Sequence, residues 1–130
     1  MESVVDASVL VAVLMNEPEK PRIIELTSDA DLVAPGCVPW EIGNALSAML
    51  KRGRLSVDVA RLMFAAFEGI PIRYVPVEFG NALQLSGDHQ IYAYDAYYLD
   101  CAHRHRVPLL TLDKRLRQIA AKLGIATPEI

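Results

Sequence analysis

Ser3-Val4-Val5-Asp6-Ala7-Ser8, with the apolar run Val9 to Met15 behind it and Asn16-Glu17-Pro18 as its stop, decides how the rest of the chain is read. A short apolar run cut by an acid and continued without a loop into a second apolar stretch reads as a buried strand feeding directly into a helix. The same pattern recurs outward. From Pro21 the spacing of Ile23, Ile24 and Leu26 predicts a second helix, and Leu32-Val33-Ala34 before Pro35-Gly36 a second strand. Pro39 suits a first helical turn, where its missing N–H costs nothing; Ile42, Leu46, Met49 and Leu50 then share a helical face, and Gly53 closes it. Ser56 is an N-cap for a helix whose Val59, Leu62, Met63, Ala66 and Phe67 recur at the helical period until Gly69 and Pro71, so two helices form a hairpin.

Ile72 to Val77 reads as a third strand, Phe79 to Leu85 as a helix and Gly87-Asp88-His89 as a loop. Asp95 opens a helix running to His103, Pro108 to Leu112 is a fourth strand, and Lys114 to Leu123 is an amphipathic helix stopped by Gly124. Ile125-Ala126 is a candidate last strand. Strands alternating with helices predict an α/β sandwich with a central, mainly parallel sheet of four to five short strands flanked by helices.

With 130 residues, 52% of them hydrophobic, the chain has enough apolar surface for a real core, and one domain over residues 1–130 is expected. It shows no internal repeat, low-complexity tract or linker. The first basic residue is Lys20 and Val9 to Met15 is too short to span a bilayer, so neither a signal peptide nor a membrane span is read here and a cytoplasmic location is expected. Cys37 and Cys101 lack the spacing of a zinc or redox pair and are too few for a disulfide scaffold; buried free thiols are expected. The net charge of −3 excludes nucleic-acid binding through the overall field, but the charge is unevenly spread. Residues 1–50 hold two basic and eight acidic side chains, whereas residues 101–130 hold six basic and two acidic, which suits a cation at one end and a polyanion at the other.

Ligands of an open parallel sheet bind beyond the carboxyl ends of its strands, so acids at strand-to-helix junctions converge there from distant sequence positions. Asp6 follows the first strand, Glu41 lies in the first turn after Pro39, Asp95 opens its helix and Asp113 follows Leu109-Leu110-Thr111-Leu112. Each alone is explained equally well as a carboxylate at a helix N-terminus, favoured there by ~0.3–1 kcal/mol. Four together are different, because clustered like charges need compensation and a hard divalent cation with oxygen ligands supplies it. No histidine or cysteine joins them at ligand spacing, which favours Mg²⁺ or Mn²⁺ over zinc, and His103 and His105 are expected on the surface. Asn44, one turn beyond Glu41, is placed to reach the same cleft.

The ordered motifs V-V-D-A-S, P-W-E-I-G-N-A-L, Y-D-A-Y-Y-L and L-L-T-L-D-K-R-L resemble the PIN domain over nearly the whole chain, in particular the VapC toxins of toxin–antitoxin pairs. The resemblance implies a PIN-like three-layer sandwich and a magnesium-dependent endoribonuclease, with Asp6, Glu41, Asp95 and Asp113 as catalytic and metal-holding acids and Ser8 and Thr111 as polar neighbours. The family's fourth acidic position varies, which makes Asp113 the least constrained of the four. In such a site the carboxylates are ligands first, and Glu41 or Asp113 orients the attacking water. Lys114, Arg115 and Arg117, with Lys51, Arg52 and Arg54, would grip flanking phosphates; Tyr92, Tyr94 and Tyr97 either stack on unpaired bases or simply pack between helices. A homodimer and an antitoxin partner are also implied, the antitoxin segment lying in an apolar groove between Trp40–Leu50 and Val59–Phe67.

Three other readings compete. A phosphoacceptor receiver domain needs an acidic pair after its first strand and an acceptor Asp after its third, where this chain has a lone Asp6 and Val77-Glu78. A binding module with a degraded site would lack some of the acids, and none is lacking. A non-toxin RNA-processing nuclease remains the alternative, although the length of the chain, without an appended RNA-binding module, favours the toxin.

Overall fold

The computed structural model describes residues 1–130. Four strands, β1 (Glu2–Val5), β2 (Asp31–Pro35), β3 (Ile72–Val75) and β4 (Leu109–Leu110), form one sheet in the order β3-β2-β1-β4, every pair parallel. Between them run α1 (Ala7–Leu14), α2 (Lys20–Thr27), α3 (Val38–Lys51), α4 (Val57–Glu68), α5 (Phe79–His89) and α6 (Ala93–His105); α7 (Lys114–Lys122) follows β4. The first two crossovers step in one direction across the sheet and the third returns over β2 and β1. Because such crossovers are right-handed, α1 to α4 cover one face and α5 and α6 the other, giving the three layers. In keeping with this, α1, α3 and α4 pack on one another, while α6 packs on α5, α7, β1, β2 and β4.

The core explains the strand sequences. Val4, Val5, Val33, Ala34, Leu109 and Leu110 are essentially inaccessible, as expected for strands covered on both faces. Helix α6 contributes Ala96, Tyr98, Leu99, Cys101 and Ala102 to the same core and is the most deeply buried helix. Both cysteines are buried and free.

Several expected boundaries shift. Helix α5 runs through Gly87-Asp88-His89 instead of ending in a loop there: Gln84 bonds Asp88 one turn on (2.9 Å), and left-handed Gln90 makes the C-cap. Helix α6 starts at Ala93, two residues before Asp95, so Asp95 lies in its first turn and Tyr92 is the cap residue. Strand β3 stops at Val75 because Glu78 is needed as the side-chain cap of α5, accepting from the Gly80 and Asn81 amides. Strand β4 keeps only two of the five residues expected, and Ile125-Ala126 is no strand; one amide bond from Leu109 to the Ala126 carbonyl (2.9 Å) is all that ties it to the sheet edge. No helix is long and apolar enough to cross a membrane.

Candidate active site

In the order β3-β2-β1-β4 the chain leaves β1 toward one side of the sheet and reaches β4 on the other, so the crevice at the carboxyl ends of β1 and β4 is the topological switch point. Asp6 and Thr111 are the residues that follow these two strands. The Thr111 hydroxyl donates to Asp6 Oδ2, while Ser8 Oγ (2.6 Å) and the Val9 amide (3.2 Å) donate to Oδ1. The last of these makes Asp6 the N-cap of α1. Ser8 Oγ in turn accepts from the Leu112 amide, and Thr111 Oγ1 from the Asp113 amide, both at 3.0 Å. Ser8 and Thr111 therefore stitch the two strand ends together through one carboxylate. Asp6 is buried, and that burial pushes its carboxyl up to about 6; the three donors oppose the shift and the charge of Glu41 adds to it.

Asp113 caps α7, accepting from the Leu116 amide at 3.0 Å, and is exposed at the rim. Asp95 projects from the first turn of α6 and its carboxyl is raised by partial burial and by the charges of Asp113 and Glu41, with no hydrogen bond to lower it. Glu41, from the first turn of α3, is thus the acid felt by both Asp6 and Asp95. Its Oε2 accepts from Tyr98 Oη (2.5 Å) and from Cys37 Sγ (3.2 Å). Burial is the main reason both donors are held in their protonated forms, the neighbouring Glu41 charge adding to it; Cys37 is pushed up to about 12 and Tyr98 further.

The charge of Glu41 thus reaches both Asp6 and Asp95, and that of Asp113 reaches Asp95. None of the four acids takes part in an ion pair, since the four pairs of the molecule involve Glu25, Glu2, Asp100 and Glu129. No group of three or more His, Cys, Asp or Glu side chains is closed into a metal-holding cluster. The donors the four acids offer are all oxygens, the chemistry that suits a hard cation such as Mg²⁺, which keeps several waters and is bound through about one or two carboxylates plus substrate phosphates.

Asn44 lines a cavity of about 750 Å³ together with Ser8, Val11, Trp40, Glu41 and Tyr94. This cavity lies between α1 and α3, not between α3 and α4 where the apolar groove was expected; the α3–α4 side has a smaller one of about 450 Å³, bounded by Pro39, Phe64 and Phe67. Lys114 and Arg115 are exposed beside Asp113, with Arg115 touching the His89 carbonyl (2.9 Å). Arg117 is not free to grip phosphate: its guanidinium bonds the Thr127 and Pro128 carbonyls and Glu129, tying down the C-terminal segment. Tyr97 packs edge-on against Phe79 and Tyr94, while Tyr92 and Tyr94 stay exposed. His103 and His105 are on the surface.

Sequence reading missed Tyr98 and Cys37. Both stand at helical spacing from a chosen acid, Tyr98 three residues after Asp95 and Cys37 four before Glu41, which was the available signal. It also missed Asp100, fully buried in α6, which accepts from the Glu78 amide, Asn81 Nδ2 and Arg104 Nε at 2.8–3.0 Å.

The parallel α/β sandwich with carboxylates at its switch point is matched by a known family: the chain belongs to the PIN-domain family, whose model matches residues 3–122. It is 30% identical to Ribonuclease VapC3 of Pyrobaculum aerophilum over 134 positions, spanning 98% of this chain and 100% of that protein. In fold it is similar to the crystal structure of a Pyrobaculum aerophilum protein (TM-score 0.76, 21% identity, 98% of this chain and 83% of that one). It is also similar to a toxin–antitoxin complex from Klebsiella pneumoniae (TM-score 0.63, 15% identity, 98% of each chain).

Proposed function

We infer that this chain is a VapC-type endoribonuclease, the toxin of a toxin–antitoxin pair, cutting RNA phosphodiester bonds with Mg²⁺ or Mn²⁺ held among Asp6, Glu41, Asp95 and Asp113. The observation that carries the reading is a set of four carboxylates coupled in sequence, Asp6 with Glu41, Glu41 with Asp95 and Asp95 with Asp113, none of them in an ion pair, in a chain related along its whole length to Ribonuclease VapC3. When bound, the cation polarises a phosphoryl oxygen and lowers the pKa of a coordinated water. The protein's own part is positional. Ser8 and Thr111 fix both oxygens of Asp6. Asp95 keeps both of its oxygens free of protein donors, and Asp113, exposed at the rim, orients the attacking water. Lys114 and Arg115 are placed to hold a phosphate flanking the cut, and Asn44 to contact the substrate from the α1–α3 side.

The same reading includes one domain over residues 1–130, a cytoplasmic location, a homodimer and an antitoxin partner, the last supported by the Klebsiella pneumoniae relative being a toxin–antitoxin complex. Purified protein incubated with total RNA, with and without Mg²⁺, should give discrete new ends only with the metal, mapped by sequencing those ends. Metal-independent cutting, or none at all, would refute it. Co-expression with a small gene adjacent to this one should yield an inactive complex, and failure to co-purify would count against the toxin role.

A further inference from the structure

We propose that Tyr98 and Cys37 are positioning residues that hold Glu41 by a single carboxylate oxygen, Oε2, and thereby fix Oε1 as the oxygen it offers to a divalent cation. The proposal rests on the metal-site reading above and adds two residues to it. Tyr98 Oη lies 2.5 Å and Cys37 Sγ 3.2 Å from the same Oε2. An ionised carboxylate oxygen has about two lone-pair sites, so two donors fill them and the other oxygen is left without a protein partner.

The donors come from different parts of the fold. Cys37 precedes Glu41 by one turn at the start of α3, while Tyr98 belongs to α6 on the far side of the sheet edge. Tyr98 stands one turn after Asp95 on the same helix, so its hydroxyl ties the acid of α3 to the helix that carries Asp95. Its ring is 2% exposed, locked in the core with Leu99 and Cys101, and the hydroxyl is therefore a fixed point and not a mobile one. A phenylalanine would fill the same space and need no partner. Glu41, by contrast, is only half-buried and on a long side chain whose rotamers would otherwise be free, a freedom that binding would have to remove. Hydrogen-bond partners that orient a ligating carboxylate typically change metal affinity about 10–100-fold when removed.

The test uses the full chain and Mn²⁺ as the probe, with affinity read by electron paramagnetic resonance and titration calorimetry well below every variant's melting temperature. Tyr98→Phe should weaken Mn²⁺ binding about tenfold or more and Cys37→Ala less, whereas Cys37→Ser, which keeps a donor, should stay near wild type. RNA cleavage at saturating metal should recover most of its kcat in Tyr98→Phe, because the loss lies in metal binding. Wild-type Mn²⁺ affinity in Tyr98→Phe would overturn the proposal. Should that variant fail to fold, equal Mn²⁺ affinity in Cys37→Ala and Cys37→Ser would overturn it instead. If the wild type bound no Mn²⁺, the metal-site reading itself would fall, a result distinct from both.

Discussion

Asp95→Asn separates a metal site from a set of helix caps, because the two explanations predict opposite signs. In the structure Asp95 is half-buried, has no hydrogen-bond donor and feels the charges of Asp113 and Glu41. It is not the cap of α6, which begins at Ala93. Two like-charge neighbours near the surface repel by a few tenths to about 1 kcal/mol each, by analogy with exposed ion pairs of opposite sign. Against this, a negative charge in the first turn gains ~0.3–1 kcal/mol from the helix dipole. The charge-removing substitution should therefore stabilise the metal-free protein by about 0.5–1 kcal/mol, or about 2–4 °C for a domain of this length. Excess divalent ion reverses the order. At about 100 times Kd it stabilises the wild type by about 2.7 kcal/mol, or roughly 8–13 °C, and the variant by much less. The assay is four thermal melts, wild type and variant in EDTA and in Mg²⁺ at matched ionic strength, so that general screening is held constant. No Mg²⁺-dependent rise in the wild type, or a lower melting temperature for the variant in EDTA, would refute the reasoning.

Asp6→Asn should reduce RNA cleavage to background, and unlike Asp95→Asn it should also destabilise the fold. Its new amide would face Ser8 and Thr111, whose oxygens already accept from backbone amides, so a loss of about 1–3 kcal/mol is expected in denaturant titration. Asp113→Asn keeps the cap on the Leu116 amide; stability should hold within about 0.5 kcal/mol and cleavage should fall less than for Asp95→Asn in the same assay. Asp100→Asn should cost about 2–3 kcal/mol at neutral pH, below the usual range for a broken buried pair because Arg104 is 34% exposed and stays solvated. Burial raises the Asp100 carboxyl, but bonds from Arg104, Asn81 and the Glu78 amide outweigh it and hold the group below its ordinary value. Its contribution is therefore complete above the unfolded value near about 3.9 and fades as pH falls through the lower folded one. The melting gap between wild type and Asp100→Asn should be constant above about pH 5 and shrink steadily as pH falls below the unfolded value; a gap that does not shrink in acid would refute the ionic role.

Which parts of this molecule were legible in the sequence depends on where each side chain's partner comes from. The junction Val5-Asp6-Ala7 could be read because strand, acid and helix are contiguous and the cap closes on Val9, three residues away. The helix α5 could not be bounded correctly, because Gly87 suggests a stop while the pair Gln84–Asp88 and the left-handed Gln90 carry the helix past it. Arg117 sits in a basic run that reads as a phosphate grip, yet the carbonyls that claim it return from the C-terminal segment. Asp100 makes the sharpest case. It is buried more completely than any of the four candidate acids, and on burial alone it would be the first choice for a functional carboxylate. Its partners lie on Arg104, one turn away, and on residues 78–81, brought over by the fold, and they neutralise it fully. Asp6, Glu41, Asp95 and Asp113 have hydrogen-bond donors or each other, but no cation. The physical mark of the candidate site is thus charge without a basic partner, and only the folded chain distinguishes an acid paired with Arg104 from acids that no basic side chain reaches.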